Sequence, residues 1–291
     1  MINPPSVSRA NPPASRIAFQ GEAGAYSEAA IIEYSRIRAQ PQPVTVPSTT
    51  FEEVFAAVEQ GDCQFGIIPI ENSLAGSIHR NYDLLLQHDL WVVGEQYLRV
   101  SHCLLASPEG ELASIRRVIS HPQALAQCDH YLRSLGVTIE PAYDTAGSAK
   151  IVSQRRDPTL AAIASRRAAE IYGLKILAEG IEDSPANITR FLIIAPQVGP
   201  PGSDAKTSIV FSLKNTPGSL FRGLGVFALR DIDLTKIESR PLVGKPFEYF
   251  FYVDFAGSTQ ELVVQRALAN LEELALYMRV LGSYPRYRQV G

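Results

Sequence analysis

No run of about eighteen apolar residues occurs in the sequence, so it offers no candidate membrane span. Cysteine is scarce too: Cys63, Cys103 and Cys128 stand far apart, with no CxxC and no Cys/His ligand pattern. An odd, sparse set of this kind points to a reducing compartment rather than a disulfide framework. His79, His102, His121 and His130 lack metal-ligand spacing and HExxH is missing, so no metal is expected. GxxxxGK[ST] and GxSxG are missing as well, and GEAGA is not GxGxxG, which leaves the dinucleotide reading weak. Charge of one sign never gathers into a block and the net charge is −3, so no nucleic-acid partner is expected.

What remains is an ordinary globular composition, 46% apolar and 20% charged, on a chain of 291 residues that can hold two domains or three small ones. The first fifteen residues, MINPPSVSRANPPAS, are rich in Pro and Ser and lack the apolar core of a secretory signal. They read as a disordered leader or the remnant of a processed one.

From residue 16 onward strands and helices alternate. RIAFQ reads as a strand, GEAGAYS as a loop of small residues, and a helix starts near Ser27, a good N-cap residue. Thr50 and Glu53 form a capping box for FEEVFAAVEQ. QFGIIPI is continuously apolar, as in a strand covered on both faces, and ENSLAGS follows as a loop before the helix IHRNYDLLLQH. The alternation implies an α/β layer with a mainly parallel sheet. WVVGEQYLRVSHCLLAS (91–107) carries two strand-like runs in succession, a pattern suited to crossing between two lobes. HPQALAQCDHYLRSLG then reads as one helix, with Pro122 in its first turn, Gly136 at its end and Leu125, Cys128, Leu132 and Leu135 as its buried stripe. The segment 197–205 is a Pro/Gly linker, and beyond it, over 206–285, the order is βαββαβ, the split ferredoxin-like plan.

Several loops of the first 195 residues carry hydroxyls and amides: Ser27; Asn72 with Ser73; Ser120 with Gln123 and Gln127; Thr145 with Ser148. In an open α/β sheet, ligands bind where strands end and helices begin, because free N–H groups there suit anions. Gln123 and Gln127, at i and i+4, can face one ligand, and Arg190 would add a forked partner for a carboxylate. Together they describe a polar, anion-binding cleft between lobes. Ser27 and Ser120 also read as plain helix caps, Asn72 as a turn residue, and Glu71, a candidate general acid, as a salt-bridge or cap partner.

The segments GEAGAYSEAA, PIENSLAGSIHRNYDLL, SHPQALAQC, DTAGSA and NITRF, in this order, resemble the prephenate dehydratase family. KTSIVFSLKNTPGSLFRGLGVFALRDIDLTKIESRP resembles its regulatory ACT domain, and SLAGSIHRNYDLLLQHDLWVVGE, FYVDF and RVLGSYP are similar to arogenate dehydratases of the plant type. The resemblance covers residues 16–285 and implies an α/β fold: a two-lobed, periplasmic-binding-protein-like catalytic region over 16–196, crossing near 91–107, and a ferredoxin-like ACT domain. It implies the decarboxylating dehydration of prephenate to phenylpyruvate, or of arogenate to phenylalanine, with no cofactor and no metal. Thr189 is implied to assist departure of the ring hydroxyl, with Asn72, Ser120 and Gln127 as further catalytic positions. Ser27, Ser73, Thr145, Arg190 and Phe191 are implied around the substrate.

For the ACT domain the resemblance implies phenylalanine bound between two subunits, at Asn215, Pro217, Gly218, Ser219 and Leu220 and at Glu238, Ser239 and Arg240. Ser219 departs from the family's GAL pattern. A homodimer or homotetramer follows, in the cytoplasm or, for a processed plant or algal chain, the plastid stroma. The rival from another class is an amino-acid-sensing solute-binding protein that binds without catalysing.

Overall fold

The computed structural model describes residues 14–242 and 244–288, so most of the leader expected over residues 1–15 lies outside the described residues. The first lobe is built from β1 (Arg16–Gln20), α1 (Tyr26–Ile37), β2 (Val44–Ser48), α2 (Phe51–Glu59), β3 (Phe65–Asn72), β4 (Gly76–Ser77), α3 (His79–Gln87) and β5 (Trp91–Arg99). The capping box is formed at α2: Glu53 N–H donates to Thr50 Oγ1 at 3.2 Å, and the Glu53 carboxylate accepts from the Thr50 amide. Helix α1 starts one residue before Ser27, with Ala25 as its N-cap, so Ser27 lies inside the first turn rather than capping it. In the cap's place Glu28 reaches back and accepts from Gly24 N–H at 2.5 Å.

The chain crosses after β5 into a second lobe made of β6 (Cys103–Ala106), β7 (Arg117–Ser120), α4 (Pro122–Ala126), α5 (Asp129–Leu135), β8 (Thr138–Pro141), α6 (Thr145–Arg155), β9 (Leu160–Ala164), α7 (Arg166–Tyr172) and β10 (Lys175–Glu179). The single helix expected over HPQALAQCDHYLRSLG is two, broken at Gln127 and Cys128. The break is held from outside: Asp183 N–H donates to the Gln127 carbonyl at 2.7 Å, and the Asp183 carboxylate accepts the His130 amide. The expected stripe still packs inward, with Leu125, Cys128 and Leu132 buried.

The chain then returns through β11 (Ile188–Ala195), which enters the first sheet between β3 and β5. That sheet has the order β2-β1-β3-β11-β5, with β4 folded back on β3; the second sheet runs β10-β6-β9-β7-β8. Neither is mainly parallel: β2, β1 and β3 are parallel but β11 is antiparallel to both neighbours, and in the second sheet β6 is likewise antiparallel to both β10 and β9. A returning strand from the other lobe has to enter against its neighbours, which is the physical origin of the mixture. The lobes touch closely at Gly24, whose φ is +91° and where a Cβ would lie 2.7 Å from the Ala168 Cα.

The C-terminal unit is β12 (Ala205–Leu213), α8 (Ser219–Ala228), β13 (Leu234–Pro241), β14 (Tyr249–Ala256), α9 (Leu262–Leu274) and β15 (Ala275–Pro285). Its antiparallel sheet has the order β13-β14-β12-β15, which is the split βαββαβ plan. Helix α9 stops at Leu274, and Ala275–Tyr277 extend β15 rather than the helix. One face of this sheet buries Ile209, Phe211, Val253 and Phe255 under α8 and α9. The other buries Val210, Tyr252, Leu281 and Tyr284 in the same core as Ile68, Ile70, Leu84 and Leu192 of the first lobe. The unit is thus packed onto the first lobe, not tethered beside it.

Candidate active site

Between the two lobes lies a cavity of about 220 Å³. The first lobe contributes Gln20, Tyr26, Ser27, Asn72, Thr189 and Phe191 to its lining; the second contributes His121, Gln123, Gln127, Asp144 and Thr145, with His102 on the crossing segment. Among the described residues no lysine or arginine lines it. Partial positive charge comes instead from backbone, beside the Asp144 carboxylate: the first turns of α1 and α6 front the cavity through Tyr26, Ser27 and Thr145, and first-turn N–H groups have no partner within their helix. Such a cavity suits carboxylates, which bind helix N-termini without a cationic side chain.

Thr189 owes its position to strand register. It is the cross-strand partner of Asn72, so the two side chains stand together at the ends of β11 and β3. Asn72 Nδ2 donates to Thr189 Oγ1 at 3.0 Å and to Asn187 Oδ1 at 2.7 Å, while its Oδ1 accepts from the amides of Leu74 and Ala75. The Thr189 oxygen is therefore already an acceptor, which leaves its own proton for a group in the cavity.

Both lobes share one hydrogen-bond chain. Asn187 Nδ2 donates to Gln127 Oε1 at 3.0 Å, the same oxygen lies 2.9 Å from His102 Nε2, and His102 Nδ1 lies 2.8 Å from the Tyr26 hydroxyl. A neutral His102 protonated on Nε2 donates to Gln127, and the single Tyr26 proton is then shared between His102 Nδ1 and the Ser101 carbonyl, each at 2.8 Å. Burial supports that assignment by pulling the His102 pKa below its ordinary value, against the bond to Gln127. Asn187, His102 and Tyr26 were not singled out for this role by motif. Asn187 could have been found as the residue that opens NITRF; His102 and Tyr26 carry no local signal and meet Gln127 only through the fold.

Of the positions expected at the substrate, Ser27, Asn72, Gln127, Thr145, Thr189 and Phe191 line the cavity. Three do not. Ser120 is completely buried at the end of β7, and its hydroxyl donates to the Ile163 carbonyl at 2.7 Å, so it ties β7 to β9. Ser73 faces away and holds the approach to β11, donating to the Ala186 carbonyl and accepting from Ile188 N–H. Ser148, one turn into α6, is also buried and donates to the Asp144 carbonyl.

Arg190 is the largest correction. Strand alternation sends Thr189 and Phe191 to the cavity and Arg190 to the opposite face. There its guanidinium donates to Glu95 at 2.9 Å, to Asp254 of β14 at 2.5 Å and to the Tyr284 hydroxyl of β15 at 3.1 Å. Lys206 completes the group with a 2.8 Å bond to Glu95, and Ser208 donates to Asp254. Burial opposes the charges of Arg190 and Asp254, yet their mutual attraction prevails: the Arg190 pKa is held above and the Asp254 pKa below the ordinary range. Lys206 moves the other way, its pKa lowered by burial and by the Arg190 charge.

In the C-terminal unit, Asn215, Gly218, Ser219 and Leu220 line a second cavity of about 340 Å³, together with Phe247, Tyr249 and Phe251. Pro217 lies in the same turn but not in the lining. Ser239 is the cross-strand partner of Phe251 and shares its face, whereas Glu238 and Arg240 alternate to the other face and bind the first lobe. Glu238 accepts from Ser77 at 2.5 Å and contacts His79, and Arg240 pairs with Asp83 at 2.8 Å.

The family model described as prephenate dehydratase matches residues 17–198. The chain is 51% identical to the chloroplastic arogenate dehydratase/prephenate dehydratase 2 of Arabidopsis thaliana, over 93% of this chain and 72% of that one. The prephenate dehydratase of Arthrobacter aurescens, solved in complex with L-Phe, superposes with a TM-score of 0.84 at 31% identity, covering 93% and 90% of the two chains. A structure described as GqqA, a novel type of quorum quenching acylase, superposes with a TM-score of 0.86 at 37% identity, covering 94% and 98%. With the family's sequence model matched across both lobes, and the TRF threonine and the asparagine of PIENS meeting in their cleft, the chain belongs to the prephenate dehydratase family.

Proposed function

We propose that the chain is an arogenate and prephenate dehydratase, converting arogenate to phenylalanine and prephenate to phenylpyruvate. The observation that carries this reading is the Asn72–Thr189 pair, which fixes a hydroxyl in the cavity with its oxygen occupied and its proton free. As carbon dioxide leaves, the electron pair of the broken C–C bond enters the ring, completes the aromatic system and expels the ring hydroxyl. The departing oxygen takes up one proton, drawn from the medium, and leaves as water. A threonine is too weak an acid to surrender its proton outright at neutral pH, so Thr189 acts as a positioned hydrogen-bond donor to the developing charge. The remaining work is alignment: the first turns of α1 and α6 receive the substrate carboxylates, and Phe191 gives the ring an apolar wall.

Thr189→Val keeps the shape and removes the donor. Turnover is expected to fall by about 10²–10³-fold with KM little changed, and Thr189→Ser to retain most of the activity. Turnover within tenfold of wild type in the valine variant would sink the assignment. An acylase needs an activated nucleophile, and among the described residues no hydroxyl lining the cavity is hydrogen-bonded to a histidine other than Tyr26. A solute-binding protein would have no need of the Thr189 hydroxyl, so the same variant separates that class.

The βαββαβ unit is read as an ACT domain that binds phenylalanine at the Asn215–Leu220 turn, supported by the cavity there and by the L-Phe complex of the Arthrobacter aurescens relative. Ser239, on the face that carries this cavity, fits a site completed by a second subunit, hence a homodimer or homotetramer. A stromal location follows from the chloroplastic relatives.

A further inference from the structure

Arogenate and prephenate share their ring, their hydroxyl and both carboxylates; they differ where one bears an ammonium and the other a ketone. A site that prefers one must place a discriminating group at that carbon. Among the described residues lining the cleft, Asp144 is the only carboxylate, and no lysine or arginine accompanies it. It stands as the N-cap residue of α6, and its side chain makes no cap bond to that helix. Its Oδ2 accepts the Glu22 amide at 3.2 Å and its Oδ1 the Thr145 hydroxyl at 3.3 Å, both long contacts. A carboxylate offers about four acceptor positions, so room for further donors remains. The nearby Lys150 is engaged with Glu22 at 3.0 Å, and among the described residues Asp144 has no ion-pair partner.

We propose that Asp144 receives the ammonium group of arogenate and thereby sets the preference of this dehydratase for the amino-acid substrate; this rests on the dehydratase reading of the same cleft. A bare carboxylate in a site built for a dicarboxylate repels both substrates. Arogenate brings its own cation to cancel that repulsion, whereas prephenate leaves Asp144 facing a ketone oxygen, acceptor against acceptor. The electrostatics therefore act twice in the same direction. Were Asp144 only a tie between the GEAGA loop and α6, its loss would affect the two substrates alike.

The test is parallel steady-state kinetics on L-arogenate and prephenate with the full chain. Asp144→Asn keeps the shape and an acceptor for the Glu22 amide but removes the charge. Its kcat/KM for arogenate is expected to fall at least thirtyfold, while that for prephenate holds or rises, so that the ratio shifts by at least thirtyfold. Asp144→Ser, a favourable N-cap residue, gives the same answer if the asparagine variant folds poorly. Lys150→Gln perturbs the same loop through Glu22 and is expected to leave the ratio unchanged. Both substrates falling together in the Asp144 variants, or neither changing, overturns the proposal. A wild-type chain with no turnover of arogenate overturns the substrate reading itself, which is a separate outcome.

Discussion

At the scale of single residues, Arg190 shows how an assignment by motif and a contact in space can part company. Two residues adjacent in sequence serve two faces of one strand, because side chains on β11 alternate. The Thr189 position was legible from NITRF; the partner of Arg190 was not, since Glu95, Asp254 and Tyr284 lie about a hundred positions away or in another unit. The buried group Arg190, Lys206, Glu95 and Asp254 carries two charges of each sign, so removal of one member strands its partners in a medium that solvates them poorly. Arg190→Met is expected to lower stability by about 3–5 kcal/mol, read as a displaced urea midpoint, with KM for the substrate changed only modestly. A stable variant with KM raised a hundredfold would instead return Arg190 to the substrate.

At the scale of elements, the sequence was most readable where burial is greatest. The central strands β3, β9, β11 and β12 stand out as apolar runs, and the capping box of α2 marks its own boundary. The short strands β2, β8 and β10 escaped notice for a common reason: each lies at a sheet edge, half exposed, where no apolar pattern is required. The break between α4 and α5 escaped because Asp183, some fifty residues on, supplies it. Gly282 in β15 was equally silent. A Cβ there would lie 2.0 Å from the Val92 carbonyl oxygen of β5, so glycine is what lets the C-terminal sheet rest on the first lobe. Gly282→Ala must push the two apart, with a cost of about 1–3 kcal/mol, and hydrogen exchange is expected to quicken in β5 and β15 ahead of the second lobe. Unaltered exchange at that contact would show that the backbone can give way there.

At the scale of the whole molecule, the C-terminal sheet is a plate with the second cavity, the proposed phenylalanine site, toward one face and the first lobe on the other. Alternation along β13 joins them: Ser239 shares the face of Phe251 at the cavity, while its neighbours Glu238 and Arg240 hold Ser77 and Asp83. Ser77 belongs to β4, whose other residue, Gly76, is the register partner of Asn72, the amide that holds Thr189. If phenylalanine binds as proposed, a change in the position of β13 has a short mechanical path to the Thr189 hydroxyl, through packed elements rather than through solvent. Ser77→Ala cuts that path at a residue that lines neither cavity. Phenylalanine is expected to bind the variant with a dissociation constant within about threefold of wild type by calorimetry, while the factor by which it changes dehydratase activity shrinks several-fold. Linkage makes a second reading available: the effect of a bound substrate analogue on phenylalanine affinity must shrink by the same factor as the effect of phenylalanine on analogue affinity. Full regulation in a Ser77→Ala variant that binds phenylalanine normally would place the coupling elsewhere, in the subunit contact or in the Arg190 group.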